Sequence, residues 1–127
     1  MNPKSPDDVL RQAQEYQREL AARGWDWPTL DGVLDKIGEE LREVRDAAGS
    51  GDSRRAAEEL GDLLLAAVHV CNHLRTDSSD LLRNALIKLQ KRIEKADKLL
   101  QKEGKLPATC TPQTLDRVWN HVKNLEF

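Results

Sequence analysis

Glu39-Glu40-Leu41-Arg42-Glu43 and, one turn of chain later, Glu58-Glu59-Leu60-Gly61-Asp62 running into Leu63-Leu64-Leu65-Ala66-Ala67-Val68-His69-Val70-Cys71 decide how this chain is read. In each stretch a carboxylate pair is spaced by three residues, Glu40 with Glu43 and Glu59 with Asp62. On a helix that spacing puts both side chains on one face. The first pair borders an apolar stripe of Leu30, Val33, Leu34, Ile37, Leu41 and Val44, which predicts a helix from about Thr29 to Ala48. The second pair opens a helix expected from about Arg54 to Arg75. Its stripe is Leu60, Leu63, Leu64, Ala67, Cys71 and Leu74, and Leu65, Val68 and Val70 make it apolar nearly all round. Such a helix is expected to be buried on several sides. Between the two, Ala48-Gly49-Ser50-Gly51-Asp52-Ser53 is a turn that should return the second helix antiparallel to the first.

The flanking segments carry helix signals too. Ser5-Pro6-Asp7-Asp8 reads as a helix start, with a capping Ser, Pro in the first turn and acids near the positive end of the dipole. That helix should run to about Arg23 and stop at Gly24, where Gly24-Trp25-Asp26-Trp27-Pro28 forms an aromatic loop. After a turn at Thr76-Asp77-Ser78-Ser79, a fourth helix is expected to about Glu103, ended by Gly104 and Pro107. Leu82, Leu86, Leu89, Ile93, Ala96 and Leu100 give it a heptad-like seam, beside a basic stripe of Lys88, Lys91, Arg92 and Lys95. A last helix begins at Thr111-Pro112 and carries Leu115, Val118, Trp119 and Val122 on one face. There is no strand signal and no repeat. The expected fold is all-α, a helical bundle of about four to five helices, with residues 1–127 as one domain.

Composition narrows the function classes. Of 127 residues, 33% are charged and 4% aromatic, and the formal net charge is −2. That balance argues against nucleic-acid binding, which usually needs a basic excess. No stretch approaches the roughly 20 apolar residues that cross a bilayer. The amino-terminal residues lack the apolar segment of a signal peptide. Cys71 and Cys110 sit in no metal-type spacing, and Cys71 reads as a small buried hydrophobe. The expectation is a cytoplasmic protein with no membrane partner.

Two readings of the acids stand side by side. In one, they are solvated and pair with Arg42, Arg45, Arg54 and Arg55. In the other, the pairs on adjacent helices converge and need a cation between them, since burying unpaired carboxylates is strongly unfavourable. Asp62 inside an apolar run favours the second. Carboxylates without accompanying His suit Mg²⁺, with Mn²⁺ as an alternative, better than zinc. Lys88 and Arg92, one turn apart, are either a solvated face or phosphate ligands. Trp119 and Lys123 form a similar pair, with Trp119 on the apolar stripe. His69 and His73 have the spacing of a metal pair but no matching acid, and read as structural. A di-iron centre would want Glu-x-x-His, and no His follows any of the acids by three residues.

Taken together, Gly24-Trp25-Asp26-Trp27-Pro28, Gly32-Val33-Leu34-Asp35-Lys36, Glu39-Glu40-Leu41-Arg42-Glu43 and Glu59-Leu60-Gly61-Asp62-Leu63-Leu64 resemble the MazG nucleotide pyrophosphohydrolase family. The likeness is to the second, catalytic half of two-domain MazG proteins. It continues through Lys88-Leu89-Gln90-Lys91-Arg92 and ends at Val118-Trp119-Asn120-His121-Val122-Lys123, covering roughly residues 10 to 126. The resemblance implies that Glu40, Glu43, Glu59 and Asp62 are magnesium ligands. It implies that Glu39 orients or deprotonates the attacking water, that Lys88 and Arg92 contact phosphates, and that Trp119 and Lys123 lie near the nucleotide. It further implies hydrolysis of (deoxy)nucleoside triphosphates to the monophosphate and pyrophosphate, as housekeeping of the nucleotide pool, by a homodimer or higher homo-oligomer.

The sequence departs from that family's pattern at Leu65, where Phe is usual, at Leu86, where Asn is usual, and at Leu89 and Ile93, which replace aromatic positions. Leu86 suits the apolar seam, so these changes bear on substrate preference rather than on fold. Two alternatives remain: a narrower hydrolase specific for dUTP or dCTP, and a non-catalytic helical oligomerisation or regulatory domain.

Overall fold

The structure, a computed structural model, describes residues 6–126. The expected Ser5 cap lies outside them. The fold is all-α, as the apolar periods require. Among the described residues there are five α-helices and no strand: α1 (Pro6–Ala22), α2 (Leu30–Gly49), α3 (Ser53–His73), α4 (Ser78–Lys102) and α5 (Pro112–Asn124). A short 3₁₀ turn, Pro107–Thr109, precedes α5 and was not legible in the sequence. None of these helices is long and apolar enough to cross a membrane.

The helix ends follow local chemistry. Gly24 takes φ +97°, a conformation that costs a side-chain-bearing residue dearly, and its N–H closes α1 on the Ala21 carbonyl. Asp52 caps α3 by accepting the Arg55 N–H at 3.0 Å, and Thr111 caps α5 by accepting the Thr114 N–H at 3.1 Å.

The chain divides into two compact units, one ending at Leu81 and the other beginning at Leu82. In the first, α2 and α3 form a hairpin and α1 packs on α3. Among the described residues its buried apolar side chains are few and small: Val33, Ala47, Val68 and Cys71. Much of the stitching of α1 is therefore polar. The buried Gln14 donates to the Thr76 carbonyl at 2.6 Å and accepts the Ser78 N–H at 2.9 Å. Asn72 donates to the Gln14 carbonyl at 3.1 Å and accepts from Arg18 Nε at 3.0 Å. Gln17 donates to the Leu65 carbonyl at 2.8 Å. In the second unit Ala96 and Leu100 of α4 pack with Val118 and Val122 of α5, joined by Leu99 and Cys110.

One expectation needs correction. α3 is not buried on several sides within this chain. Val68 and Cys71 are buried, but Leu60, Leu65 and Leu74 are exposed, and Leu64 is 62% exposed. The α4 seam behaves in the same way. Ala96 and Leu100 are covered, whereas Leu82, Leu89 and Ile93 are not, and Leu86 is 51% exposed. The apolar period marked these positions, but neither the α1–α2–α3 packing of the first unit nor the α4–α5 packing of the second covers them.

Because Gln14 donates to the part-buried Thr76 carbonyl and accepts the N–H of buried Ser78, Gln14→Ala should leave both without that partner. The expected loss is about 1–3 kcal/mol per group, read as a lower urea midpoint at unchanged helicity.

Candidate metal centre and adjoining cavity

The α2–α3 hairpin brings Glu40, Glu43 and Glu59 together. One carboxylate oxygen from each lies within 4.8 Å of the others. Glu40 and Glu43 meet because three residues on a helix return to the same face; Glu59 meets them because α3 folds back along α2. Glu40 is only 3% exposed. Its Oε1 pairs with Lys36 Nζ at 2.7 Å, one helical turn earlier. Its other oxygen, Oε2, is buried and has no hydrogen-bond partner among the described residues.

The electrostatics follow from this packing. The hydrogen-bonded Lys36 ammonium holds the Glu40 carboxyl below its usual range, against the effect of burial. Glu40 in turn raises the Lys36 ammonium above its ordinary value. Glu43 has no such cation. Its contact with the Glu59 carboxyl, then desolvation, then Glu40, push it from 4.5 up to about 7. Near neutrality the protein alone relieves the repulsion by keeping a proton on Glu43 part of the time. A hard cation would relieve it better: the donors are all carboxylate oxygens, and a buried oxygen stands unpartnered. The residues present therefore fit a divalent ion.

Asp62 and Glu39 stand apart from this trio. Asp62 is exposed on α3, three residues beyond Glu59, and lines a cavity that Glu40 also lines. Glu39 is exposed, with Oε1 3.9 Å from Lys36 Nζ. The arginine pairing considered from sequence is not what Glu40 adopts; Arg54 instead pairs with Glu58 at 3.5 Å.

The cavity is about 480 Å³. Tyr16 and Gln17 of α1, Trp25 and Trp27 of the loop, and His69 of α3 line it together with Glu40 and Asp62. Here the fold supplies the acid that the His69/His73 pair lacked in sequence. Asp26 Oδ1 lies 2.7 Å from His69 Nε2 and 2.9 Å from His73 Nε2, and it accepts the Trp27 N–H at 2.7 Å. Burial opposes ionisation of Asp26, but the hydrogen bonds from His69, His73 and Trp27 outweigh it and hold the carboxyl below its usual range.

The phosphate-binding candidates lie in the second unit. Arg92 makes a two-pronged contact with Glu126, Nε to Oε1 at 2.7 Å and a terminal nitrogen to Oε2 at 2.8 Å. That contact lowers the Glu126 carboxyl and raises the guanidinium. Arg92 also sits over the Trp119 ring, 5.9 Å from its centroid. Lys88 is exposed on α4, and Lys123 is half-buried in the last turn of α5. The fork on Glu126 is the geometry Arg uses for any planar or tetrahedral oxyanion.

Two residues that shape the site were missed in the sequence. Lys36 carried a signal, since it precedes Glu40 by four residues on a predicted helix. Asp26 carried none, because no period relates a loop residue to a helix 43 positions away.

Comparison with known proteins identifies the family. The family model for the MazG nucleotide pyrophosphohydrolase domain matches residues 29–96, which include the acids of both α2 and α3. The chain is 34% identical to the nucleoside triphosphate pyrophosphohydrolase of Escherichia coli K12, over 98% of this chain and 48% of that protein. It is also 34% identical to the nucleoside triphosphate pyrophosphohydrolase/pyrophosphatase MazG of Thermotoga maritima, over 97% of this chain and 46% of that protein. The chain thus spans about half the length of the curated relatives it matches. With the matched segment holding the whole carboxylate hairpin, this chain belongs to the MazG nucleotide pyrophosphohydrolase domain family.

Proposed function

We propose that this chain hydrolyses nucleoside triphosphates to the monophosphate and pyrophosphate, and that residues 1–127 act as one catalytic domain. The observation that carries the reading is the convergence of Glu40, Glu43 and Glu59 around a buried, unpartnered carboxylate oxygen in a member of this family. These three, with Asp62 from the next turn of α3, would hold the metal, Mg²⁺ or alternatively Mn²⁺. Bound there, a divalent cation supplies positive charge against the triphosphate and acidifies water.

The remaining work belongs to the chain. Glu39 is the acid assigned to orienting the attacking water and taking its proton. The water oxygen bonds to the α-phosphorus, the bond from that phosphorus to the bridging oxygen breaks, and pyrophosphate leaves. Lys36 holds Glu40 ionised and so keeps it a ligand. Lys88, Arg92 and Lys123 are assigned to phosphate oxygens, and Trp119 to the nucleotide; the cation stack of Arg92 on Trp119 and its fork on Glu126 support that chemistry. No covalent intermediate is needed.

The reading extends to assembly and place. The exposed leucines of α3 and α4 suit a homodimer or higher homo-oligomer that covers them. Free nucleotides in the cytoplasm, rather than nucleic acid, fit a chain of net charge −2, and clearing them is housekeeping of the nucleotide pool.

Two outcomes test the centre. Glu59→Ala should abolish Mg²⁺-dependent pyrophosphate release from a nucleotide panel while far-UV helicity stays near wild type; full retained activity would contradict the scheme. The second is a stability measurement without divalent ions. The folded pKa of Glu43 is raised from 4.5 to about 7. Its contribution to stability is therefore complete below about pH 4.5 and is lost as pH rises through about 7. The metal-free melting temperature should fall across that window, Glu43→Gln should flatten the fall, and Mg²⁺ should raise the melting temperature at pH 8. A metal-free melting temperature that rises across the same window in wild type only would count against the carboxylate contact.

A further inference from the structure

The loop between α1 and α2 poses a problem of placement. Trp25 is 72% exposed and Trp27 is 42% exposed, so burial does not hold this segment. Yet both rings line the cavity beside Glu40 and Asp62. Two other features hold the loop. Asp26, between the tryptophans, is fixed to α3 by His69 and His73, its Oδ1 at 2.7 and 2.9 Å from their Nε2 atoms. Trp27 lies in a notch on α2 that exists because residue 32 is glycine: a Cβ there would come within 2.7–2.8 Å of the Trp27 side chain. The tilted His69 ring completes the seat, 6.1 Å from Trp27 between centroids.

The Asp26, His69 and His73 atoms are close enough together to hold a metal ion. The hydrogen bonds around them decide otherwise. Asn72 Oδ1 accepts from Arg18 Nε, and Asn72 Nδ2 donates to the Gln14 carbonyl, so the orientation of this amide is set. The same Nδ2 lies 3.2 Å from His69 Nδ1, which must then be the acceptor. The ring proton is therefore on Nε2, directed at Asp26. A metal on Nε2 would need that proton moved to Nδ1, where it would face the Asn72 amino group. The cluster is a carboxylate clamp and not an ion cage.

We propose that Asp26 and Gly32 are positioning residues: the Asp26 clamp and the Gly32 notch hold Trp25 and Trp27 as a preformed aromatic wall, and that wall sets affinity for the nucleoside end of the substrate. The proposal rests on the hydrolase reading above. Preformed walls raise affinity because the ordering cost is not met at binding. Loss of the wall should thus weaken binding of the base-bearing end while leaving the phosphate end alone.

The test compares Asp26→Ala, Asp26→Asn and Gly32→Ala with wild type. Steady-state kinetics use nucleoside triphosphates, with inorganic tripolyphosphate as a base-free inhibitor. Asp26→Ala and Gly32→Ala should each raise KM about tenfold, with kcat within about threefold and tripolyphosphate inhibition unchanged. Asp26→Asn keeps a carbonyl acceptor and should recover most of the affinity. Gly32→Ala is decisive because Ala is favoured on a helix and the added methyl strikes only the Trp27 side chain. An unchanged far-UV spectrum and urea midpoint separate a rise in KM from a folding defect, and with Asp26→Asn this variant carries the test if Asp26→Ala does not fold. A wild-type KM in Gly32→Ala, or a parallel loss of kcat and of tripolyphosphate inhibition, overturns the proposal. So does stoichiometric Zn²⁺ binding that Asp26→Asn abolishes. If wild type releases no pyrophosphate, the hydrolase reading fails on its own. Acrylamide quenching of tryptophan fluorescence then tests the clamp: greater quenching in Asp26→Ala and Gly32→Ala supports it, and unchanged quenching in both overturns it.

Discussion

The constraint on which this molecule depends is the mutual repulsion of Glu40, Glu43 and Glu59. Helical spacing and a short turn force their carboxylates together, and Lys36 offsets one of them. The first unit has few and small buried apolar residues with which to oppose that repulsion. A cluster of this kind is unfavourable in a protein with no use for it. The hairpin that carries it lies within the segment matched by the MazG family model, and the proposed metal would offset its cost.

Around that hairpin the structure divides its duties between polar and apolar chemistry. α1 is fastened to α3 by amides, with Gln14, Gln17, Arg18 and Asn72 meeting backbone or one another in defined orientations. Directional bonds of this sort fix register more sharply than a smooth apolar face does. The same network reaches His69 through Asn72, and from His69 it reaches Asp26 and the aromatic loop. A chain of hydrogen bonds thus runs from the buried face of α1 to the wall of the cavity beside the acids. The broad apolar faces of α3 and α4 are each left largely exposed by the packing within their own unit, in keeping with the proposed self-association.

Much of this was legible in the sequence, because periods carry it. The apolar spacing of Leu30 to Val44 and of Leu82 to Leu100 marked α2 and α4, and Gly24 and Thr111 marked ends that the structure confirms, whereas the Asp52 cap of α3 emerged only in the structure. The three-residue spacing of Glu40 and Glu43 already implied a shared face. What was not legible depends on tertiary approach. Nothing local tells that Asp26 reaches His69 and His73, or that Gly32 is small because Trp27 lies on it. The exposure of Leu64 and Leu86 was missed for another reason: a sequence pattern reports that a face is apolar, not which chain covers it.

Electron paramagnetic resonance of bound Mn²⁺ tests the central claim most directly. Titrated into the metal-free protein, Mn²⁺ should bind with an oxygen-only coordination shell, without nitrogen hyperfine coupling, and Glu40→Gln should weaken that binding sharply. Absence of specific Mn²⁺ binding, or a nitrogen ligand from an imidazole in its shell, would contradict the account that three converging carboxylates build the site.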